Sequence, residues 1–239
     1  NKIIKTNIWS SELAKLASNA MLAQRISSIN SLSALCEKTG ASIQEISKAI
    51  GLDSRIGPKF LEASVGFGGS CFKKDILNLV YLARYYSLDE VADYWHNVVK
   101  INDYQIHRFV QNICSKLKDL ENKTLSILGW AFKKQTNDSR ESPSIYVAKK
   151  LIEKGAKLNI YDPMVPQDKI KEDLKECLYA SKIKKNQENK LLNNITISVS
   201  MRESFKGVDA IVIITNWDEF SKYEWEKHIF SLKKSTFVF

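Results

Sequence analysis

The spacing of apolar residues changes near residue 119 and divides this chain of 239 residues into two halves. Residues 10–118 repeat apolar side chains at the three- and four-residue spacing of helices. Beyond them, short apolar segments alternate with helical or loop segments, which is typical of parallel β-α units. We therefore predict an α/β protein, with an all-helical domain over 1–118 and a doubly wound parallel-sheet domain over 119–239.

The helical half is predicted to contain four helices. The first begins at a serine cap, Ser10 or Ser11, and ends at Gly40, and a short second helix ends at Gly51. A third helix follows a glycine-rich loop. The fourth spans 87–117 with neither Gly nor Pro, and would be a rod of roughly 45 Å. A helix of that length usually connects domains or forms a dimer interface.

The second half is predicted to contain strands within KTLSILGWAF, KLNIYDP, NITISVS, DAIVIITNW and STFVF. Ligands on such sheets bind beyond the carboxyl ends of the strands. We therefore expect residues 129–134, 161–163 and 215–220 at the ligand-binding edge. No GxGxxG motif follows any of these strands, so the usual dinucleotide fingerprint is missing from this sequence.

The net charge of +9 is compatible with nucleic-acid binding or with sites for small phosphorylated ligands. The lysines are spread along the chain, and their one local run, KIKKNQENK (182–190), is typical of a solvated loop. Recognition-helix, RNP and zinc motifs are missing from the sequence, which disfavours nucleic acid as a partner. No apolar run is long enough to suggest a membrane span.

Cysteine and histidine usage bears on metal sites and on the compartment. The four cysteines lie far apart without a CxxC pair, and the three histidines are scattered. This pattern argues against a metal site and against a dense disulfide framework. A reducing compartment such as the cytoplasm is the simpler expectation.

The segment GFGGSCFKKD (66–75) carries the strongest chemical signal. Its glycines allow close approach of a ligand, and their amides could hold a phosphate or a sugar. Cys71 is predicted at the start of a helix beside two lysines, where dipole and cations favour the nucleophilic thiolate. Asp75, one turn later, faces the same side and could handle a proton or a water molecule. The alternative for Cys71 is a small buried residue in a turn, which these neighbours disfavour.

Lys15 and Asn19 form a second candidate group, because their spacing of four residues places them on one face of the first helix. A cation and an amide on one face could stabilise an oxyanion. By pattern alone, a lysine extending to solvent beside a polar neighbour is the more ordinary explanation.

Three segments together resemble the UDP-glucose/GDP-mannose dehydrogenase family and favour its UDP-glucose branch. They are WSSELAKLASNAMLAQRISSINSLSALCE, GFGGSCFKKDILNLVYLA and ILGWAFKKQTNDSRESPSI. The resemblance implies a central dimerisation domain followed by a Rossmann-like UDP-sugar-binding domain. It also implies NAD-dependent oxidation of UDP-glucose to UDP-glucuronate in two hydride transfers, through a thiohemiacetal and a thioester on Cys71.

The resemblance also implies roles for individual residues. Lys15 would stabilise oxyanions, while Asn19 and Asp75 would orient groups or water. Arg140 would contact NAD, and Arg55 would cross a subunit interface, so that activity would need a homodimer or a larger homo-oligomer. The residues implied in substrate binding are Arg55, Phe60, Leu61, Gly66, Phe67, Gly68, Gly69, Ser70, Phe132 and Lys133.

The sequence departs from the family pattern at both ends. The family's N-terminal NAD-binding domain, with its glycine fingerprint and one active-site glutamate, is missing, and the chain stops before the family's DGR. We expect a piece of a longer protein that is inactive alone. The alternative is a non-catalytic module that binds UDP-sugars and oligomerises.

Overall fold

The computed structural model describes residues 3–181, 185–225 and 236–239. The chain forms two compact units, Asn1–Gln105 and Ile106–Phe239. The division lies within a long helix, thirteen residues before the predicted domain boundary, which stays a prediction.

Four helices are seen where the sequence predicts them: α1 Ile8–Thr39, α2 Ile43–Gly51, α3 Phe72–Tyr85 and α4 Asp89–Leu117. The predicted serine cap of α1 is wrong. Asn7 is the N-cap residue, and its side chain accepts a hydrogen bond from the Ser10 amide at 2.8 Å. The predicted C-terminal cap is confirmed, since Gly40 has φ 77° and donates to the Cys36 carbonyl.

The core of the first unit lies where α3 packs against α1. Ala20 and Ala23 of α1 are fully buried, and their small side chains allow the two helices to pack closely. The cluster also takes in the ring of Phe67 from the glycine-rich loop. Its buried members are Ala20, Ala23, Phe67, Ile76, Val80, Ala83, Ala92, Val98 and Val99.

The second unit is built on a parallel sheet, as predicted. Its elements are β1 Thr124–Leu128, α5 Pro143–Ile152, β2 Lys157–Tyr161, α6 Gln167–Ala180, α7 Lys185–Leu192, β3 Ile195–Ile197, α8 Met201–Ser204, β4 Ala210–Ile213, α9 Asp218–Ser221 and β5 Phe237–Val238. Within the described residues the strand order is β3-β2-β1-β4-β5, with every pairing parallel. The central strand β1 is almost completely buried, which explains its continuous apolar run.

The lysine-rich run 182–190 is only partly a loop. Residues 182–184 lie outside the described residues, whereas residues 185–190 belong to α7 rather than to the predicted loop. Lys, Gln, Glu and Leu favour helix, and neither Gly nor Pro interrupts the segment, so a helix forms although it buries no side chain completely.

Two further findings concern the described part of the chain. None of its helices has the length and apolar character needed to cross a membrane. Its His, Cys, Asp and Glu side chains form no group of three or more that could hold a metal ion.

Candidate active site

Cys71 is the N-cap residue of α3, at the position that the sequence predicted. The residue is exposed, and the Ser70 hydroxyl lies 3.6 Å from its sulfur. The Cys71 carbonyl accepts the first helical hydrogen bond, from the Asp75 amide at 2.8 Å. The thiol is therefore accessible to a substrate and lies beside the unsatisfied amides that begin a helix.

Lys15 and Asn19 of α1 both donate hydrogen bonds to Asp75 of α3. The Lys15 Nζ lies 2.6 Å from the Asp75 Oδ2, and the Asn19 Nδ2 lies 2.5 Å from the same oxygen. The Asp75 side chain is 4% exposed, whereas that of Lys15 is 62% exposed. The structure thus brings together the two candidate groups that the sequence suggested separately.

Asp75 and Lys15 both stay charged at neutral pH. Burial is the largest influence on the pKa of Asp75 and would raise it, but the hydrogen bonds from Lys15 and Asn19, with the charges of Lys15 and Lys74, together lower it. The pKa of Lys15 is raised, chiefly by its hydrogen bond to Asp75, and the charges of Asp75 and Cys71 add to this effect. Lys15 therefore stays cationic at neutral pH and lies within electrostatic reach of Cys71.

Two glycines of the loop adopt backbone angles that suit only glycine. Gly66 has φ 142° and Gly69 has φ 85°. A Cβ atom on Gly66 would lie 2.8 Å from the Oδ1 of Asn102, too close for any side chain. Gly68 and Gly69 are buried, so the loop is packed against its surroundings.

Three buried side-chain amides hold the backbone of this loop. The Asn102 Oδ1 accepts from the Phe67 amide at 2.7 Å, and its Nδ2 donates to the Phe67 carbonyl at 3.2 Å. The Asn30 Oδ1 accepts from the Ser64 amide at 2.8 Å, and the Gln105 Nε2 donates to the Ser64 carbonyl at 2.7 Å. Sequence reasoning missed these residues, and only their polarity on a helix face that carries apolar neighbours could have signalled them.

The other residues implied in sugar binding differ in accessibility. Phe67 is buried, with its ring edge-on to that of Phe72 at 5.9 Å, and Leu61 is buried as well. Phe60 is 42% exposed and has φ 62°, a left-handed conformation that is rare for phenylalanine. Ser70 is half-buried. Phe60 and Ser70 are thus the members of this group most able to touch a ligand by side chain.

The two candidate ligand-binding arginines share one local geometry. Arg55 forms a two-point ion pair with Asp53, and Arg140 forms the same pair with Asp138, each with amide and guanidinium bonds to the carboxylate. The side chains of Arg55 and Arg140 are 87% and 65% exposed. Each pair lowers the pKa of its aspartate. The same hydrogen bonds orient both guanidinium groups at the surface.

The predicted ligand-binding edge of the second unit follows β1. Phe132 is half-buried, and the exposed Lys133 places its Nζ 5.4 Å from the centre of the Phe132 ring. The Thr215 hydroxyl donates to the Ala131 carbonyl at 2.6 Å. Segments 129–134 and 215–220 therefore meet beyond the strand ends, as the sequence predicted.

Asp162, which follows β2, organises this edge. Its Oδ2 accepts from the amides of Trp130 and Ala131 at 2.6 and 3.0 Å, and from the Trp217 indole at 3.1 Å. Its Oδ1 accepts from the amides of Met164 and Val165. One buried carboxylate thus joins the loops that follow β1, β2 and β4.

Two family models match this chain. The model of the UDP-glucose/GDP-mannose dehydrogenase family, central domain, matches residues 9–104, and that of the same family's UDP binding domain matches residues 126–239. The chain belongs to the UDP-glucose/GDP-mannose dehydrogenase family. Its two matched regions correspond to that family's central domain and UDP binding domain.

Curated relatives and a solved structure agree with this assignment. The chain is 52% identical over 239 residues to UDP-glucose 6-dehydrogenase of Gallus gallus, covering 100% of itself and 47% of that protein. It is 49% identical over 248 residues to UDP-glucose 6-dehydrogenase 2 of Arabidopsis thaliana, covering 100% and 50%. A UDP-glucose dehydrogenase from Pyrobaculum islandicum aligns with TM-score 0.76 and 30% identity, over 90% of this chain and 45% of that one. The chain spans about half the length of these relatives.

Proposed function

We propose that this chain is the thiol-bearing and UDP-sugar-binding part of an NAD-dependent dehydrogenase that oxidises UDP-glucose to UDP-glucuronate. The observation that carries the proposal is the exposed thiol of Cys71 at a helix N-terminus, near the Lys15–Asp75 ion pair. The identity of about half of the residues with enzymes named UDP-glucose 6-dehydrogenase supports this substrate.

The proposed chemistry gives the thiol a defined task. C6 of the glucose unit first gives up a hydride and its hydroxyl gives up a proton, which leaves an aldehyde. The Cys71 thiolate then adds to the carbonyl carbon, and the oxygen takes a proton, which gives a thiohemiacetal. Loss of a second hydride and of the hydroxyl proton gives a thioester. Water cleaves the thioester to the carboxylate and restores the thiol.

Lys15 would stabilise the negative charge that develops on the substrate oxygen during these steps. Its side chain is largely exposed, so the ammonium can reach a substrate while it keeps its bond to Asp75. The buried Asp75 has a lowered pKa and already accepts two hydrogen bonds. These properties favour a role for Asp75 in orienting Lys15 and Asn19 over a role as a general base.

NAD would accept the hydride in each oxidation. The residues of this chain do not form the usual dinucleotide site, because no GxGxxG motif follows any of its strands. Arg140 is the residue that we propose contacts the coenzyme, through its exposed and oriented guanidinium. We therefore expect this chain alone to produce no NADH.

Each unit, taken by itself, offers groups suited to a UDP-sugar. In the first, the loop of Gly66, Gly68 and Gly69 would pass beside the sugar or a phosphate. In the second, Phe132 offers a half-buried ring and Lys133 an exposed cation. The match of this unit to a model described as a UDP binding domain supports the assignment.

We also propose that the protein forms a homodimer or a larger homo-oligomer. We further propose that it works in a reducing compartment, the cytoplasm. Arg55 is exposed and oriented by Asp53, as a residue that reaches into a neighbouring subunit must be. Leu77, Tyr81 and Tyr85 form an exposed apolar row on α3 that is available for subunit contact. All four cysteines are unpaired, which suits a reducing compartment.

Calorimetric titration of the chain with UDP-glucose, with GDP-mannose as the control ligand, tests the substrate. We expect binding of UDP-glucose only. Lys133→Ala should weaken it about tenfold, which corresponds to about 1.4 kcal/mol. The control variant Lys171→Ala removes an exposed lysine of α6 and should leave the affinity for UDP-glucose unchanged. Equal affinity for the two nucleotide sugars, or no binding of UDP-glucose, would contradict a UDP-glucose site within this chain.

A further inference from the structure

The loop that leads to Cys71 is held by side chains instead of by a sheet or helix. Backbone groups of Ser64 and Phe67 bond to the side-chain amides of Asn30, Asn102 and Gln105. These three amides are at most 7% exposed. The Asn102 and Gln105 amides would be costly to bury without these bonds, so the arrangement favours one path for the loop.

Asn102 has the largest part in this arrangement. It is the one residue of the three that bonds to both the amide and the carbonyl of a single loop residue, Phe67. On the other side, Gly66 approaches so closely that a Cβ there would lie 2.8 Å from the Asn102 Oδ1. The Asn102 side chain therefore fixes the loop both by hydrogen bonds and by contact.

Phe67 connects this side chain to the thiol. The Phe67 backbone is held by Asn102, and its buried ring packs edge-on against Phe72, the first residue of α3. Cys71 immediately precedes Phe72 and follows the loop that begins at Phe67. The chain around Cys71 is thus fixed on both sides through one phenylalanine.

We propose that Asn102 is a positioning residue for Cys71: by fixing the Phe67 backbone, it sets where the thiol lies relative to Lys15. The inference rests on the proposed function of Cys71 as the nucleophile. Its structural content is independent of that function, because it concerns the distance between a sulfur and a cation.

The distance between the Cys71 sulfur and the Lys15 ammonium can be followed through alkylation rates, because these rates depend on the charge around the sulfur. The charge of Cys71 contributes to the raised pKa of Lys15, so the two groups lie within electrostatic reach. Iodoacetate is an anion and iodoacetamide is neutral, and both alkylate the same thiolate. The ratio of their rate constants at one cysteine therefore cancels the ionised fraction and reports the local charge.

We would measure this ratio at Cys71 by mass spectrometry in the chain at low ionic strength. Cys114 serves as an internal reference, and the buried Cys36 reports any general opening of the fold. Asn102→Ala is expected to lower the iodoacetate-to-iodoacetamide ratio at Cys71 about threefold and to leave that of Cys114 unchanged. Lys15→Met should lower the same ratio, which shows that the ratio reports this cation.

Ser27→Ala is the matched control for a merely structural effect. The buried Ser27 hydroxyl donates to the Val98 carbonyl at 2.8 Å and so joins α1 to α4. This variant is expected to lower the melting temperature and to keep the Cys71 ratio of the wild type. Asn102→Ser, whose hydroxyl is too short to replace the amide, is a second variant with the same expectation as Asn102→Ala.

A folded Asn102 variant with an unchanged ratio would overturn the proposal. So would an equal fall of the ratio in Ser27→Ala. Alkylation needs neither UDP-glucose nor NAD, so a failure of the proposed dehydrogenase function would be seen separately, in the titration with UDP-glucose.

Discussion

The buried carboxylate of Asp75 lies 2.6 Å from the exposed ammonium of Lys15, sixty residues earlier in the chain. This ion pair joins α3 to α1 beside Cys71. Because one partner is buried, the pair is screened less than an ordinary surface salt bridge. It therefore links the stability of the first unit to the electrostatics of the thiol.

The pair predicts a pH dependence of stability. The pKa of Asp75 is lowered from 3.8, so its contribution is present above that value and is lost as the pH falls through the folded-state pKa. The pKa of Lys15 is raised from 10.5, so its contribution is present below that value and is lost as the pH rises through the folded-state pKa. We expect the free energy of unfolding to be highest between about pH 4 and 10 as far as this pair is concerned.

Urea unfolding of wild type and Asp75→Asn across this range would measure the effect. The variant should be less stable at neutral pH and should lose less stability in acid than the wild type. Asp93→Asn, at an exposed position of α4, is the control and should follow the wild-type curve. Identical acid dependence in wild type and Asp75→Asn would contradict the assigned role of the pair.

Asp162→Asn is predicted to disorganise the ligand-binding edge of the second unit. Both carboxylate oxygens accept backbone amides, and Oδ2 also accepts the Trp217 indole. In asparagine one oxygen becomes an NH2 group, so at least two donors, one of them buried, lose their acceptor whichever way the amide turns. We expect a loss of about 2–4 kcal/mol and a change in tryptophan fluorescence.

The exposed Asp168 on α6 supplies the matched control, since Asp168→Asn changes the same charge without removing buried bonds. Its unfolding curve should stay within about 0.5 kcal/mol of the wild type. Equal effects of the two variants would show that Asp162 acts only through its charge.

Gly129→Ala is predicted to be poorly tolerated. Gly129 follows β1 with φ 91°, and a Cβ there would lie 2.5 Å from the Thr215 Cβ and 2.7 Å from the Thr215 amide nitrogen. Since backbone cannot move aside cheaply, we expect a cost of about 3 kcal/mol or more. Thermal unfolding followed by circular dichroism would measure it.

Gly207→Ala separates the two causes of that cost. Gly207 also has a positive φ, 68°, but a Cβ there would meet nothing within 4 Å. This variant should cost only about 1 kcal/mol, from backbone strain alone. If both variants cost the same, the contact with Thr215 is not the reason that Gly129 is glycine.

Periodicity was sufficient to predict most of the fold. The four helices and the parallel strands carry regular apolar patterns, and Gly40 gives a clear helix end. The start of α1 was misplaced because Asn7 and Ser10 are both good capping residues, and only the backbone shows which one accepts the bond. The predicted loop was wrong at residues 185–190, because high charge is common to solvated loops and to exposed helices and does not distinguish them.

The candidate site was predictable only where residues lie close in sequence. Cys71, Asp75 and the glycines form one motif, and Lys15 and Asn19 share one helix face. That these groups meet at Asp75 depends on how α1 packs on α3, which no local pattern contains. Asn102 was missed for the same reason, since its partner lies 35 residues away. Residues 161–163 were expected at the ligand-binding edge, but the bonds by which Asp162 joins the loops there were not, since Trp130 lies 32 residues away.

Ligand protection of Cys71 is the last prediction. Cys71 is exposed and lies near the cation Lys15, whereas Cys36 is 6% exposed, so iodoacetamide should modify Cys71 well before Cys36. Saturating UDP-glucose should slow modification of Cys71 at least severalfold and leave Cys114 unaffected, because a bound sugar would cover the loop that carries the thiol. GDP-mannose at the same concentration is the control and should give no protection. If Cys114 is protected to the same extent, the ligand tightens the fold in general. If Cys71 stays unprotected although calorimetry shows binding, the sugar lies away from the proposed nucleophile.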